Sequence, residues 1–491
     1  MAAKSPSGSA NEPRDPILAA VAGAPVPVKP KEPARKERLL KEGKRRGEEA
    51  ASGGPPAGRT TLEQARRRGP AGLLQLLGPG LVTGASDDDP SGIGTYSQVG
   101  AQFGFGMLWT ALFTFPLMAA VQELCARIAL ETGVGLGLAL RRKFPAWVVA
   151  AAVLGLVIAN TINLGADLGA VAAGGELLSG GMLKTAWLVI PAAALVLFLQ
   201  LFVTYATLFR IFKWLTLALF AYVAAGILVH PPLGAVLVST LVPHFELSRD
   251  FIQALVAVLG TTISPYLFFW QASSEIDELK SAGKKREADR RSVRINELRA
   301  ARVDIMVGML FSQLIMYFIV LTTASTLHAH GKTDIQTAQQ AAAALEPLAG
   351  PLSFVLFSVG LIGTGLLAMP ILSGSAAYAV KEFFGLKGSL ALKARYRPTF
   401  YLILSAATLA GVAMNLLHVD PIRALYTAAV INGVAAPPLL VLIVLLGSDP
   451  QVMKSKVSGR LSRALTWAAT GIMTLGAIAM FAMMLLTKTS R

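Results

Sequence analysis

Charge is scarce in this chain. Only 15% of its 491 residues are Asp, Glu, Lys or Arg, against about 25% in an ordinary soluble domain. Cysteine is nearly absent, and with Cys125 alone an intrachain disulfide is excluded. Histidine is limited to five residues, four of which (His230, His244, His328 and His330) fall in connecting segments. With no nucleophile triad or metal-hydrolase constellation around them, the sequence does not read as an enzyme. The short alternating segments of a transmembrane β-barrel are missing as well. The weakly apolar stretch 17–28 is interrupted by Pro25 and Pro27, which argues against a signal peptide.

What is present is apolar length. Hydrophobic residues make up 54% of the chain, with a mean hydropathy of +0.56, and runs near the roughly 20 residues that cross a bilayer recur along it. Eleven spans are expected, at about 73–99, 105–130, 146–178, 186–204, 208–229, 251–275, 303–327, 352–380, 399–417, 421–446 and 464–487. The class is therefore an all-α membrane protein lying in a lipid bilayer. Residues 1–72, rich in Pro, Gly, Lys and Arg, read as a disordered basic cytoplasmic tail with one short helix near Arg35–Arg46. Tail and loops are too short or too polar to form a regulatory domain.

The net charge of +16 does not point to nucleic acid, because the bases cluster in alternate loops. Arg141, Arg142 and Lys143 follow span two, and Arg210 and Lys213 lie between spans four and five. Residues 280–302 follow span six, Lys387, Lys393, Arg395 and Arg397 follow span eight, and Lys454, Lys456, Arg460 and Arg463 follow span ten. That alternation places the N-terminus in the cytoplasm and the C-terminus outside the cell membrane.

An odd span number permits two inverted five-helix repeats, about 73–229 and 251–446, plus an extra helix at 464–487. In such transporters the first helix of each half is broken at the binding site. Span one contains Asp87, Asp88, Asp89, Pro90, Ser91 and Gly92, and span six contains Gly260, Thr261, Thr262, Ile263, Ser264 and Pro265. Proline removes a helical N–H and glycine tolerates unusual angles, so both spans are expected to unwind there. Freed carbonyls around Thr261 and Thr262, together with a carboxylate, make an oxygen-rich cation site. Asp89, beside the break, is the expected ion ligand, while Asp87 and Asp88 line the approach. A surface helix end is a poorer reading, since 73–86 is too short to cross alone.

Span three carries Asn160, Asn163 and Asp167 on one helix face. The asparagines either line a hydrated path or cross-link helices. Asp167 is an intramembrane acid and by default functional. Asn432 in span ten has the same two readings as the asparagines. Glu123 and Arg127 are spaced to pair. Glu275, Asp277 and Glu278 are expected to be solvated at the end of span six.

These motifs resemble the NRAMP divalent-metal transporters from about residue 73 to 487. GPGLVTGASDDDPSG is similar to the family's first span, with its Asp-Pro-Gly-Asn signature, and GTTISPY is similar to its Met-Pro-His segment. The resemblance implies the leucine-transporter fold, eleven or twelve spans, inward movement of a divalent metal ion as substrate, and no cofactor. The pattern departs where Gly92 replaces the ligating asparagine, Ser264 the methionine, and Tyr266 and Gln271 two histidines. In span three the family's acidic positions fall near Asn163 and Ala166, with Asp167 one step beyond. This looks like the NRAMP-related magnesium transporters, which carry Mg²⁺ and also Mn²⁺. Loss of a sulfur ligand suits a hard cation that keeps several waters. The metal set implied is Asp89, Gly92, Thr261, Thr262, Ser264, Asp167, Asn163 and Asn432, with Mg²⁺ entry uncoupled from protons. The alternative is a proton-coupled Mn²⁺ or Fe²⁺ importer, and a third reading is an organic-solute symporter of the same fold.

Overall fold

In a computed structural model, residues 78–203, 216–291, 295–386, 388–390, 398–415 and 420–489 are described. The basic tail, the start of spans one and five, Arg210, Lys213, Lys387, Lys393, Arg395 and Arg397 lie outside them. Among the described residues every regular element is helical: α1 (Pro79–Asp87), α2 (Pro90–Phe103), α3 (Trp109–Thr132), α4 (Leu136–Lys143), α5 (Ala146–Leu178), α6 (Thr185–Phe202) and α7 (Phe220–Leu228) come first along the chain. They are followed by α8 (Arg249–Thr262), α9 (Pro265–Ser281), α10 (Ile295–Thr326), α11 (Ser353–Phe383), α12 (Pro398–Asn415), α13 (Pro421–Ser448) and α14 (Arg460–Thr489). Shorter helical turns connect them.

Among the described residues, nine helical segments are long and apolar enough to cross a membrane, α8 and α9 counting as one. They match nine of the eleven expected spans. The first expected span is the pair α1 and α2, each too short alone, and the fifth is described only from residue 216.

Both expected breaks are present. Span one parts between Asp87 and Pro90, and span six between Thr262 and Pro265. The broken helices pack on one another, α1 against α9 and α2 against α8. Around them α10 covers α1 and α2, and α5 is held by α11, α12 and α13.

Small residues set how closely these helices approach. A Cβ on Gly84 of α1 would lie 2.0 Å from the Gly308 carbonyl oxygen of α10, and one on Gly260 of α8 would lie 2.1 Å from the Ala429 carbonyl oxygen of α13. Backbones therefore touch around the breaks, which clamps the unwound segments. Large apolar side chains point outward instead: Trp187 and Phe202 on α6, Leu402 on α12 and Leu475 on α14 are each about 70% exposed. Surrounding hydrocarbon is the medium in which such a surface is stable.

Candidate functional site

Pro90 opens α2, and Asp89 caps it. One Asp89 carboxylate oxygen, Oδ1, accepts from the Ser91 hydroxyl at 2.6 Å and from the Gly92 amide at 2.8 Å. This is the geometry of a helix N-cap, and it holds the carboxylate at the break. Its second oxygen accepts from Asn163 Nδ2 at 3.0 Å and from the Tyr266 hydroxyl at 3.3 Å. Tyr266 also reaches the Ser86 carbonyl at 2.9 Å, so it ties the start of α9 to the end of α1.

From Asn163 the network continues along α5 and into α13. Nδ2 of Asn163 lies 3.4 Å from Asp167 Oδ2, and its Oδ1 accepts from Asn432 Nδ2 at 3.1 Å. Asp89, Asn163, Asp167 and Asn432, drawn from three separate regions of the sequence, thus meet in one cluster. Asp167 Oδ1, Asn432 Oδ1 and Thr261 Oγ1 are buried there with no hydrogen-bond partner. Thr261 faces the first break, since its Oγ1 would be 3.4 Å from a Cβ placed on Gly92.

Asp87, Asp88, Asp89 and Asp167 are each at most 1% exposed. Among the described residues none of the four forms an ion pair. An uncompensated buried charge costs several kcal/mol, so these carboxylates are neutralised either by protons or by a cation. No three His, Cys, Asp or Glu side chains converge as a metal cage among the described residues. A cation here would complete its shell with amide, hydroxyl and carbonyl oxygens, which suit hard ions.

Three of the expected ligands sit differently. Gly92 contributes its amide to Asp89 and has no side chain to offer a cation. Thr262 Oγ1 donates to the Val258 carbonyl at 2.8 Å, within its own helix. Ser264 Oγ lies 2.6 Å from the Thr261 carbonyl oxygen and 3.0 Å from that of Gly260. The Thr261 carbonyl expected to be freed by Pro265 therefore receives a hydroxyl already. A short hydroxyl side chain next to a helix end returns to the nearest carbonyl, and that local competition decided both cases.

Asn160 cross-links helices, donating to the Leu372 carbonyl at 3.3 Å. Glu123 and Arg127 do pair, and Ser462 adds a 3.0 Å bond to Glu123. The expectation of a solvated acidic end to span six is overturned for Glu275, while Asp277 and Glu278 are half-buried. Glu275 is fully buried and accepts from Gln271 at 3.0 Å, and Asp277 accepts from the Tyr378 hydroxyl at 2.7 Å. Packing of α9 against α11 takes Glu275 out of water and leaves the last turn of α9 partly exposed.

Sequence reasoning did not place Ser91 or Ser312 in the site, nor give Tyr266 a role in positioning Asp89. Ser312 of α10 bonds Asp87 at 2.6 Å and approaches Asp88 at 3.3 Å. A signal for it existed, since Ser312 and Gln313 interrupt an otherwise apolar span.

A helical bundle whose two broken helices enclose buried, unpaired carboxylates defines a multi-pass membrane transporter rather than an enzyme. The chain belongs to the family described as natural resistance-associated macrophage protein-like, whose sequence profile matches residues 80–483. It is 26% identical over 409 residues to the "Divalent metal cation transporter MntH" of Pectobacterium carotovorum subsp. carotovorum, covering 82% of this chain and 93% of that protein. It is also 26% identical over 427 residues to the protein of the same name from Deinococcus radiodurans, covering 84% and 90%.

Among solved structures it is similar to a manganese transporter of Eremococcus coleocola, with a TM-score of 0.64, 16% identity, and 83% and 86% of the two chains covered. Similarity extends to Mhp1, a nucleobase-cation-symport-1 family transporter, with a TM-score of 0.53, 15% identity, and 83% and 91% covered. The fold is the leucine-transporter fold.

Proposed function

We propose that this protein imports divalent metal cations by alternating access, Mn²⁺ among them, and that its site also admits Mg²⁺. The observation that carries this reading is the buried oxygen-donor set around the first break: Asp89, Asp167, Asn163, Asn432 and Thr261. Relatives named as divalent metal cation transporters, and a fold neighbour that is a manganese transporter, support the divalent class and the Mn²⁺ end of it. Mg²⁺ rests on this chain's own residues, with serine at position 264 and glycine at 92. A site with fewer protein ligands suits an ion that retains water. Thr262 and Ser264 enter the proposal as lining of the second break.

The membrane topology proposed with it has the N-terminus in the cytoplasm, the C-terminus outside the cell membrane, eleven spans and two inverted repeats. The test is Mn²⁺ uptake into proteoliposomes against a large excess of Mg²⁺. Strong competition supports the reading, and indifference to Mg²⁺ overturns the Mg²⁺ part of it.

A second reading is proton-coupled Mn²⁺ or Fe²⁺ import, whose Mn²⁺ part is supported by the fold neighbour that is a manganese transporter. Against coupling stand Asn163, Ala166, Tyr266 and Gln271 at the positions where a titrating path is expected, since none titrates near neutral pH. Voltage alone is a sufficient drive, because two charges crossing 100 mV gain about 4.6 kcal/mol. Uptake with a pH dye in the lumen and voltage clamped by a K⁺ ionophore separates the two. Metal entry without luminal acidification supports uncoupled transport, and acidification in fixed ratio to metal entry establishes coupling.

A further inference from the structure

Each broken span leaves one carbonyl without its helical donor. In a continuous helix the residue four positions on donates its amide to that carbonyl. Four positions beyond Ser86 stands Pro90, and four beyond Thr261 stands Pro265. Proline has no amide to give. Both orphaned carbonyls nevertheless receive a donor, and in both cases it is a side-chain hydroxyl. Tyr266 donates to the Ser86 carbonyl at 2.9 Å, and Ser264 to the Thr261 carbonyl at 2.6 Å. Ser264 is a neighbour in sequence, whereas Tyr266 reaches across 180 positions from the other broken span.

The two hydroxyls thus stand in for the two missing amides. Ser86, Thr261, Ser264 and Tyr266 are each 1% exposed, and a bare carbonyl buried among them would be costly. Each hydroxyl has a single proton to give. Ser264 Oγ is nearer to the Thr261 carbonyl than to that of Gly260, 2.6 Å against 3.0 Å. Tyr266 is nearer to the Ser86 carbonyl than to Asp89 Oδ2, 2.9 Å against 3.3 Å. A carbonyl capped in this way has one of its two lone pairs spent, and the capping hydroxyl turns only lone pairs to its surroundings. Such an oxygen accepts a hydrogen bond from water held by an ion.

We infer that Tyr266 and Ser264 determine specificity: by capping the carbonyls that Pro90 and Pro265 orphan, they withhold two backbone ligands from the divalent substrate and leave it to keep its water. The inference rests on the divalent reading at Asp89 proposed above, and it gives the selectivity a sign. Ca²⁺ draws on about six to eight oxygen ligands, whereas Mg²⁺ parts with water reluctantly. A site without bare carbonyls therefore favours Mg²⁺ over Ca²⁺.

The test is displacement of ⁵⁴Mn²⁺ from the purified full chain in nanodiscs by Mg²⁺ and by Ca²⁺, read as the ratio of their half-displacing concentrations. Tyr266→Phe and Ser264→Ala each uncap one carbonyl and are expected to move that ratio toward Ca²⁺ by about fivefold or more. The bond that Tyr266→Phe also removes from Asp89 acts on both ions and cancels in the ratio. Ser264→Thr, which keeps a hydroxyl, is expected to hold the wild-type ratio. Thermal melts separate specificity from support of the fold. A carbonyl that the ion can take up gives a variant that melts lower without metal and is recovered by Ca²⁺, whereas a purely structural hydroxyl gives the same loss with and without it. Should Tyr266→Phe fail to elute as a monodisperse species, Ser264→Ala carries the test. A ratio unchanged or moved toward Mg²⁺ in either folded variant, or a loss of melting temperature indifferent to Ca²⁺, overturns the inference while wild-type ⁵⁴Mn²⁺ binding upholds the divalent reading. Wild type that binds no ⁵⁴Mn²⁺ overturns the divalent reading and the inference built on it.

Discussion

At the scale of single residues, Asp89 joins two roles that usually fall to different side chains. One carboxylate oxygen caps α2, and the other is bound by Asn163 and Tyr266. Asp89→Ala therefore removes both a cation ligand and a cap, the latter worth about 0.5–2 kcal/mol. We expect Mn²⁺ and Mg²⁺ uptake in proteoliposomes to fall to background while the protein still elutes as a folded species. Wild-type uptake by a well-reconstituted mutant would refute the assignment. Asp89→Asn keeps much of the cap geometry but loses the charge, so it separates the roles: uptake should still be lost, with a smaller loss of thermal stability.

Ser264→Met tests the second break. The serine hydroxyl now rests on the Thr261 and Gly260 carbonyls. A thioether releases those carbonyls and introduces a soft donor. Mg²⁺ transport should fall more than Cd²⁺ transport, and an unchanged Mg²⁺/Cd²⁺ ratio would place position 264 away from the ion.

At the scale of elements, α1 is the piece whose attachment is unusual. Its N-terminal amides at Gly78, Gly80 and Leu81 all donate to the Asp304 carboxylate of α10, at 2.8, 2.7 and 3.0 Å. A carboxylate at a helix N-terminus meets both unpaired N–H groups and the positive end of the dipole. Such charge-assisted bonds are worth about 1.5–3 kcal/mol each at most. Further along, Thr83 donates to Gln271, which in turn donates to Glu275 at 3.0 Å. Together these bonds fasten α1 along the seam with α9 and α10.

Asp304→Ala should loosen that seam. A cysteine placed at buried Thr83 should then react faster with a thiol reagent applied from the cytoplasmic side than in the Asp304 background. Equal rates would mean that the latch does not govern the opening of α1. Gly84→Ala addresses the opposite effect, since its methyl would meet the Gly308 carbonyl at 2.0 Å. Overpacking of this kind costs about 1–3 kcal/mol, and the expected result is a lower melting temperature with transport impaired.

At the scale of the whole molecule, orientation is open to a direct check. Cys125 is the lone cysteine and is fully buried, so single-cysteine reporters have a quiet background. Lys332→Cys, in an exposed segment after α10, should react with an impermeant maleimide on intact cells. Lys285→Cys, in the exposed segment after α9, should react only after permeabilisation. The reverse pattern would invert the topology.

The segment after α9 is also tied to α4. Glu287 accepts from Arg142 at 2.8 Å and from Arg291, and these guanidinium groups hold its carboxyl down to about 2 from an ordinary 4.5. A depressed carboxyl contributes its stability above the unfolded value and loses it as pH falls through the folded one. The tie is therefore complete from pH 5 upward, and fades between about 4.5 and 2. Because the pair is partly exposed, it is also weakened by salt.

Much of this architecture was determined by sequence alone, and the reason is that the signals are local. Apolar run length marks a span, because a bilayer tolerates no unpaired backbone. Proline marks a break, because it has no amide to donate. Hence nine spans and both interruptions, before Pro90 and before Pro265, were legible without coordinates. Tertiary structure decided which polar groups meet. Asn163 reaches Asp89 and Asn432 across 74 and 269 positions of sequence, and Ser312 reaches Asp87 across 225. No periodicity within one helix encodes such a meeting.

The hydroxyls of Thr262 and Ser264 went to carbonyls of α8, and Glu275 of α9 went into the core. In each case the outcome depended on which acceptor or neighbour lay nearest once the helices had packed. Sequence thus determined where the chain must unwind and that charge had to be buried there. Only packing determined which oxygens face one another, since that is set by contacts between elements rather than by order along the chain.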